Sequence, residues 1–247
     1  RGWARPEGRP RRAMLAELSQ WLTQIAGTET GRAVATGLAL FAAVLHAGFG
    51  ALQKGRHDPW LSRAALDSGY FVLALPVALF LLPWPEPELI PVFAGVVVIH
   101  IIYKVLQAMA YTRGAYTVVY PVVRGTGPLA TVVVAGLVFG EQFSPLQWSG
   151  VAALSGGILG LAIYNMLHST VGRETLLPAL WLAGATGLWV AVYTTYDAWG
   201  IRLAADPLVF LCWFFVVDGW TIPLLVAWQV RRGRIAPPAL RPLAVRG

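Results

Sequence analysis

Residues 89–139 read LIPVFAGVVVIHIIYKVLQAMAYTRGAYTVVYPVVRGTGPLATVVVAGLVF, and this stretch decides the fold class. It holds two apolar runs, 89–111 and 118–139, joined by a short turn from Thr112 to Tyr116. The hydrocarbon core of a bilayer is about 30 Å thick and takes roughly 20 apolar residues of helix to cross. Both runs have that length. Neither alternates, and each is about twice as long as a membrane-barrel strand, so helices are expected. A helix also satisfies its own backbone where no water can.

Working outward, five more runs of this kind appear, at 33–52, 68–82 (ending at Pro83-Trp84-Pro85), 148–167, 177–199 and 208–230. The sequence therefore predicts an all-α integral membrane protein, a polytopic bundle of seven transmembrane helices. The connections are short, with no room for a soluble domain. Trp84, Trp148, Trp181 and Trp228 fall near the ends of spans, where interfacial anchors belong.

Composition agrees. The 247 residues are 57% hydrophobic and 13% charged, with a mean hydropathy of +0.61. Soluble domains average about 45–50% and about 25%. So apolar a chain is not disordered, and a single cysteine, Cys212, excludes a disulfide-stapled secreted domain. The net charge of +7 lies in tails and short loops, not in a patch interleaved with exposed aromatics. It is read as a membrane-surface feature, with no nucleic-acid partner. Arginine outnumbers lysine heavily, and with so much Ala, Gly and Pro this fits a GC-rich, bacterial source and the cell membrane.

The first 31 residues form a separate region. Residues 1–13 are rich in Arg, Pro and Gly and are expected to be disordered, with Met14 a candidate start. In 14–26, Met14, Leu15, Leu18, Trp21, Leu22 and Ile25 share one helical face. This segment is too short and polar to span, so an interfacial helix is expected. It lacks the small-residue cleavage site of a signal peptide.

An internal repeat is legible. Asp58-Pro59 and Asp206-Pro207 lie 148 positions apart, while Pro76 and Pro223, and likewise His46 and Tyr193, lie 147 apart. That offset is the length of five helices with their loops. It divides the chain into a first five-helix repeat (32–167), the first two helices of a second (168–230) and a basic tail (231–247). An odd number of helices per repeat forces opposite orientations in the membrane. On this reading three final helices are absent and the chain is truncated.

Ionisable residues inside hydrocarbon are costly and mark functional sites or paired groups. His100, Tyr103, Lys104, Gln107 and Tyr111 follow one another at steps of three and four and share a helix face. They are candidates to line a substrate cavity, with an interhelical hydrogen-bond seam as the alternative. Tyr120 and Arg124 join them from the next span, where an Arg binds an anionic group or pairs with a carboxylate. Pro121, Gly125, Gly127 and Pro128 form a candidate hinge or helix break, or else a kink for packing. His46, Tyr193, Asp197 and Asp218 complete the cavity candidates, salt-bridge glue being the alternative for the charged ones. Gly150, Gly156, Gly157 and Gly160 offer a small-residue face for close packing. No metal-binding, nucleotide-binding or hydrolase motif occurs, so neither a metal, a cofactor nor an enzymatic activity is expected.

Ala110-Tyr111, Arg113, Tyr120-Pro121 through Arg124-Gly125-Thr126, Gly140-Glu141, and Trp148 with Gly150 together resemble EamA-type members of the drug/metabolite transporter superfamily. The neighbourhoods of Leu45-His46-Ala47 and Asp58-Pro59 look like that family's first helix and turn. The resemblance runs from Arg32 to the end and is strongest over 110–159. It implies ten helices in two five-helix repeats around a central cavity. It also implies alternating-access transport of a small polar or amphipathic metabolite, with the lipid bilayer, the solute and a coupling ion as partners. A non-transporting multi-pass accessory protein is the alternative function.

Charge sets an orientation. Lys54, Arg56, Arg63, Arg113, Arg173, Arg231, Arg232, Arg234, Arg241 and Arg246 fall on one predicted side, against Arg32 and Arg202 on the other when translation starts at Met14. The positive-inside rule then puts the C-terminal tail in the cytoplasm. A cysteine placed at Arg232 in a Cys212→Ala background is expected to resist impermeant maleimide added to intact cells; labelling from outside reverses the topology.

Overall fold

The computed structural model describes residues 9–53, 58–168 and 173–235, with the side chains of 9–13, 46, 49–53 and 173 excepted. Among these residues the chain is all α. Two helices precede the bundle, α1 (Arg9–Ile25) and α2 (Glu29–Gln53). The remaining helices are α3 (Pro59–Phe80), α4 (Ile90–Arg113, entered through a 3-10 turn at Pro87–Leu89), α5 (Tyr116–Phe139), α6 (Pro145–Leu167), α7 (Arg173–Leu203), α8 (Pro207–Gly219) and α9 (Thr221–Arg231). Six helical stretches among the described residues are long and apolar enough to cross a membrane, α8 and α9 counting as one. The protein is a multi-pass helical membrane bundle.

Local chemistry sets the ends. Asp58 and Asp206 each stand before a proline and cap a helix: one carboxylate oxygen accepts from Trp60 N at 2.8 Å and Leu61 N at 3.1 Å, the other from Leu208 N at 2.8 Å and Val209 N at 3.4 Å. Ser144 and Gln147 form a reciprocal capping box on α6. Gly140 ends α5 at φ +65°, a left-handed conformation that glycine adopts without a Cβ clash.

Several boundaries differ from the sequence expectation. The Asp58-Pro59 cap starts α3 nine residues earlier than 68, so Arg63 and Asp67 belong to the helix and not to a loop. Arg63 thus drops out of the surface charge count, and Arg202 lies in the last turn of α7. Lys54, Arg56, Arg241 and Arg246 lie outside the described residues, as does the side chain of Arg173. The expected single helix at 208–230 is broken at Trp220, because Pro223 lacks the N–H that would bond to the Gly219 carbonyl. Pro76, its repeat partner, sits inside a continuous α3.

Side-chain contacts fix the direction of each helix. Trp213, at the middle of α8, donates to Pro83 O at 3.0 Å beyond the end of α3, while Gly219 at the end of α8 abuts Phe71 and Tyr70 inside α3; α3 and α8 are antiparallel. Phe93 stacks on Phe210 and Lys104 bonds Asp218, so α4 and α8 are parallel. Tyr196 donates to Val92 O and Trp189 to Ile99 O, so α4 and α7 are antiparallel. Asn165 reaches Thr117 O from α6, antiparallel to α5. The directions alternate along the chain, as successive membrane crossings require.

Most packing of α5 is against α7 and α6. It runs unbroken through Pro121, Gly125, Gly127 and Pro128, where the sequence predicts a loosened helix. The glycines there allow close approach: Gly125 faces Leu159 of α6 and Gly127 faces Val190 of α7. From the other side, Gly187 of α7 faces Thr126. By contrast, Gly150, Gly156, Gly157 and Gly160 on α6 meet nothing within 4 Å, so the small-residue face expected to pack does not. A methyl at Gly187 would sit 2.6 Å from Thr126 Cβ and 3.1 Å from Val123 O. Gly187→Ala is expected to lower stability by about 1–3 kcal/mol through overpacking. Gly156→Ala is expected to be neutral or to stabilise by up to ~1 kcal/mol through helix propensity. Thermal unfolding in detergent followed by tryptophan fluorescence compares the two.

Candidate functional site: a buried ionic cluster and its aromatic neighbours

The inward face of α4 carries Val92, Phe93, Val96, His100, Tyr103, Lys104, Ala108 and Ala110, all buried. Its two ends join separate apolar clusters. Phe93 and Val92 pack with Val209, Phe210 and Trp213 at one, and Ala110 packs with Val119, Val123, Ala179 and Ala183 at the other. The polar residues occupy the middle, halfway across the span.

Lys104 is the centre, with 1% of its surface exposed. Its Nζ donates to Asp67 Oδ2 at 2.6 Å, Asp218 Oδ1 at 2.8 Å, Tyr70 OH at 3.1 Å and the Asp218 carbonyl at 3.1 Å. The last contact follows from the interruption at Trp220. It places the ammonium at the C-terminal end of α8, where unpaired carbonyls and the helix dipole favour a cation. Arg63 Nε lies 2.8 Å from Asp67 Oδ1, and the Tyr70 hydroxyl donates to Asp218 Oδ2 at 2.7 Å. Each carboxylate thus meets a partner at both oxygens, Asp67 Oδ1 through an ion pair that lacks hydrogen-bond geometry.

His100 continues the cluster towards α7. Its Nε2 lies 3.0 Å from Asp197 Oδ2 and 3.2 Å from Oδ1, and its Nδ1 lies 3.6 Å from Asp218 Oδ1. Tyr193 tilts against His100 at 4.9 Å and against Tyr103 at 4.6 Å, while Phe214 meets the imidazole edge-on at 5.2 Å. Gln107 donates to Tyr103 OH at 2.8 Å. Beyond lies a tyrosine-rich region, in which Tyr116 stacks on Tyr120 at 5.1 Å and Tyr111 tilts against Tyr116 at 5.3 Å. Arg124 stands 5.5 Å from the Tyr120 ring.

The structure therefore brings His100, Tyr103, Lys104, Gln107, Tyr193, Asp197 and Asp218 together, with Tyr120 and Arg124 on the tyrosine side. His46 lies outside the residues whose side chains are described. Arg63, Asp67 and Tyr70 belong to the cluster and were missed by sequence reasoning. Their signal was present in the Asp-Pro helix start and in the four- and three-residue steps that put them on one face. Among the described residues, no group of three or more His, Cys, Asp or Glu side chains could hold a metal ion.

No protein-family model, curated protein or solved structure matches the chain.

Removing one member of a buried ion pair costs about 3–5 kcal/mol, whereas an exposed pair contributes about 0–1 kcal/mol. Lys104→Met, which strands Asp67 and Asp218, is expected to fall in the first range. Arg202→Ala, which removes the exposed 2.9 Å contact to Glu141, is expected in the second. Denaturant titration in mixed micelles measures both.

Proposed function

We propose that the protein is a secondary membrane transporter of the EamA type, moving a small polar or amphipathic metabolite by alternating access. The observation that carries this reading is the ionic cluster at mid-span. Seven linked polar or ionisable side chains, Arg63, Asp67, Tyr70, His100, Lys104, Asp197 and Asp218, lie inside helices that cross hydrocarbon. Such groups are costly in a purely structural bundle and are placed where solutes or ions move. The adjoining tyrosines and Arg124 suit a solute with an apolar or aromatic moiety and an anionic group.

Two geometric features support a five-plus-five inverted plan. Tyr70 and Asp218, 148 positions apart like the two capping aspartates, bond each other at 2.7 Å. Phe71 and Gly219, with the same offset, are in contact. Two antiparallel helices related by a two-fold axis must cross at equivalent residues, and α3 and α8 do so. The second feature is α2, which this reading takes as a seventh span beside the six found among the described residues. It touches little besides α1, and Leu38, Leu40, Phe41, Val44 and Leu45 are exposed. Its repeat counterpart, α7, is covered by α4 and α5. The equivalents of α4 and α5 in a second repeat would cover α2.

Uptake of a panel of radiolabelled amino acids, carboxylates and nucleosides into proteoliposomes tests the reading. Arg124→Ala is expected to reduce uptake far more than Arg113→Ala, which changes the last residue of α4. Equal effects remove the role of Arg124, and an inert native protein favours the accessory-protein alternative.

A further inference from the structure

His100 is unusual in that both ring nitrogens face carboxylate oxygens, Nε2 at 3.0 Å from Asp197 and Nδ1 at 3.6 Å from Asp218. A neutral imidazole has one N–H and one lone pair, and an ionised carboxylate offers only acceptors. With neutral His100 and two carboxylates, one nitrogen would point its lone pair at an oxygen lone pair. Nε2 lies within hydrogen-bond reach of Asp197, and Nδ1 lies at ion-pair distance from Asp218; both contacts are favourable when the trio carries one additional proton. Charge counting over the ion-paired cluster gives the same answer. Arg63 and Lys104 supply two positive charges against three negative ones on Asp67, Asp197 and Asp218. A protonated His100 supplies the third.

We propose that Asp197, His100 and Asp218 form an exchangeable proton site, and that the proton it carries is the coupling ion of the transporter proposed above, on which reading this inference rests. The proton enters from water on one side, binds the free ring nitrogen of His100, and returns to water on the other side after the helices rearrange. On entry a hydronium O–H bond breaks as the His100 N–H bond forms, and on release the N–H bond breaks as water takes the proton back. Every packed element contributes to the setting of this imidazole. Asp197 and Tyr193 face it from α7, and Asp218 with the Phe214 edge from α8. Asp67, Tyr70 and Arg63 act from α3 through Lys104, while Tyr103 and Lys104 lie on α4 itself. Arg124 on α5 faces the tyrosines.

The site also has a route for the change. The Asp197 side chain is 24% exposed and that of His100 7%, so the trio opens towards the α7 side while its Lys104 end is sealed. Loss of the proton leaves an uncompensated buried negative charge, which drives the cluster to admit water or another cation. Binding and release of one proton thereby become linked to a change of shape, as coupled transport requires.

Nitrogen-15 NMR of histidine-labelled full chain in lipid bilayers tests the protonation. Of the four histidines, His100 is assigned by His100→Gln. The expected result at neutral pH is a His100 ring with both nitrogens protonated, lost in Asp197→Asn and Asp218→Asn; a neutral imidazole in the native protein overturns the proposal. Because the decisive spectrum is that of the native chain, a poorly folding variant does not blunt it. Exchange is read separately, from charge displacement on solid-supported membranes after a pH jump without solute. The native protein is expected to give a transient that His100→Gln abolishes, and its absence from the native protein overturns an exchangeable site. Solute accumulation by proteoliposomes that ignores an imposed pH gradient overturns coupling while leaving transport intact. A native proton transient with no solute moved from the panel does the reverse, supporting the proton site and overturning the transporter reading.

Discussion

The ammonium of Lys104 ties three helices together where no water can substitute. Its bonds to Asp67 and Asp218 fix α4 against α3 and α8 in depth and rotation, since a half-turn or one-turn slip would separate charges now 2.6 and 2.8 Å apart. Between helices in lipid the hydrophobic effect gives little guidance, because lipid tails are as apolar as Leu. Apolar contacts such as Phe93 on Phe210 fill space but tolerate sliding; the ion pairs do not. The isostere argument for soluble cores, that a buried salt bridge is replaceable by hydrocarbon, points here to a functional reason for keeping the charges.

The spans were legible because length and hydropathy decide them, and hydropathy does not depend on partners. The end of the span at 139 and the polar face of α4 were legible for the same reason: each is a local pattern. Asp67 and Arg63 were not read as intramembrane, because a charged pair at the start of an apolar run looks like a loop until the Asp58 cap is given its full weight. The partner of Lys104 was also only half legible. Asp218 was visible as a buried acid, but pairing depends on which helices touch, and that is a tertiary fact. The same limit explains the glycines. Gly125 is expected at a hinge and Gly156 on a packing face, yet Gly125 meets Leu159 and Gly156 meets nothing within 4 Å.

The break at Trp220 links architecture to chemistry. A continuous α8–α9 helix would consume its own carbonyls along the ladder. Pro223 interrupts that ladder one turn beyond Asp218. The Asp218 carbonyl then accepts from Lys104 Nζ at 3.1 Å and from Thr221 Oγ1 at 2.9 Å. Backbone irregularity at membrane depth is tolerated only where protein or water meets the freed groups, and here a lysine does so. The proline in the sequence and the buried ammonium are thus two ends of one arrangement.

Under the repeat plan proposed above, this arrangement lies on the line between the two halves. Tyr70 and Asp218 hold equivalent positions but are different residues, and only one of them is an acid. Two carboxylates face to face at this crossing would repel. With a phenol opposite the acid the contact is instead a 2.7 Å hydrogen bond. It also frees the other Asp218 oxygen for Lys104 and His100. The asymmetry bears on the proposed alternating access as well. In an inverted-repeat bundle the two halves would exchange shapes between inward- and outward-open states, so that contacts on the axis would persist while those off it would separate. Asp218 lies at the crossing and Asp197 lies off it, so His100 faces one carboxylate of each kind. A rocking motion would draw Asp197 away from the imidazole and leave Asp218 in place.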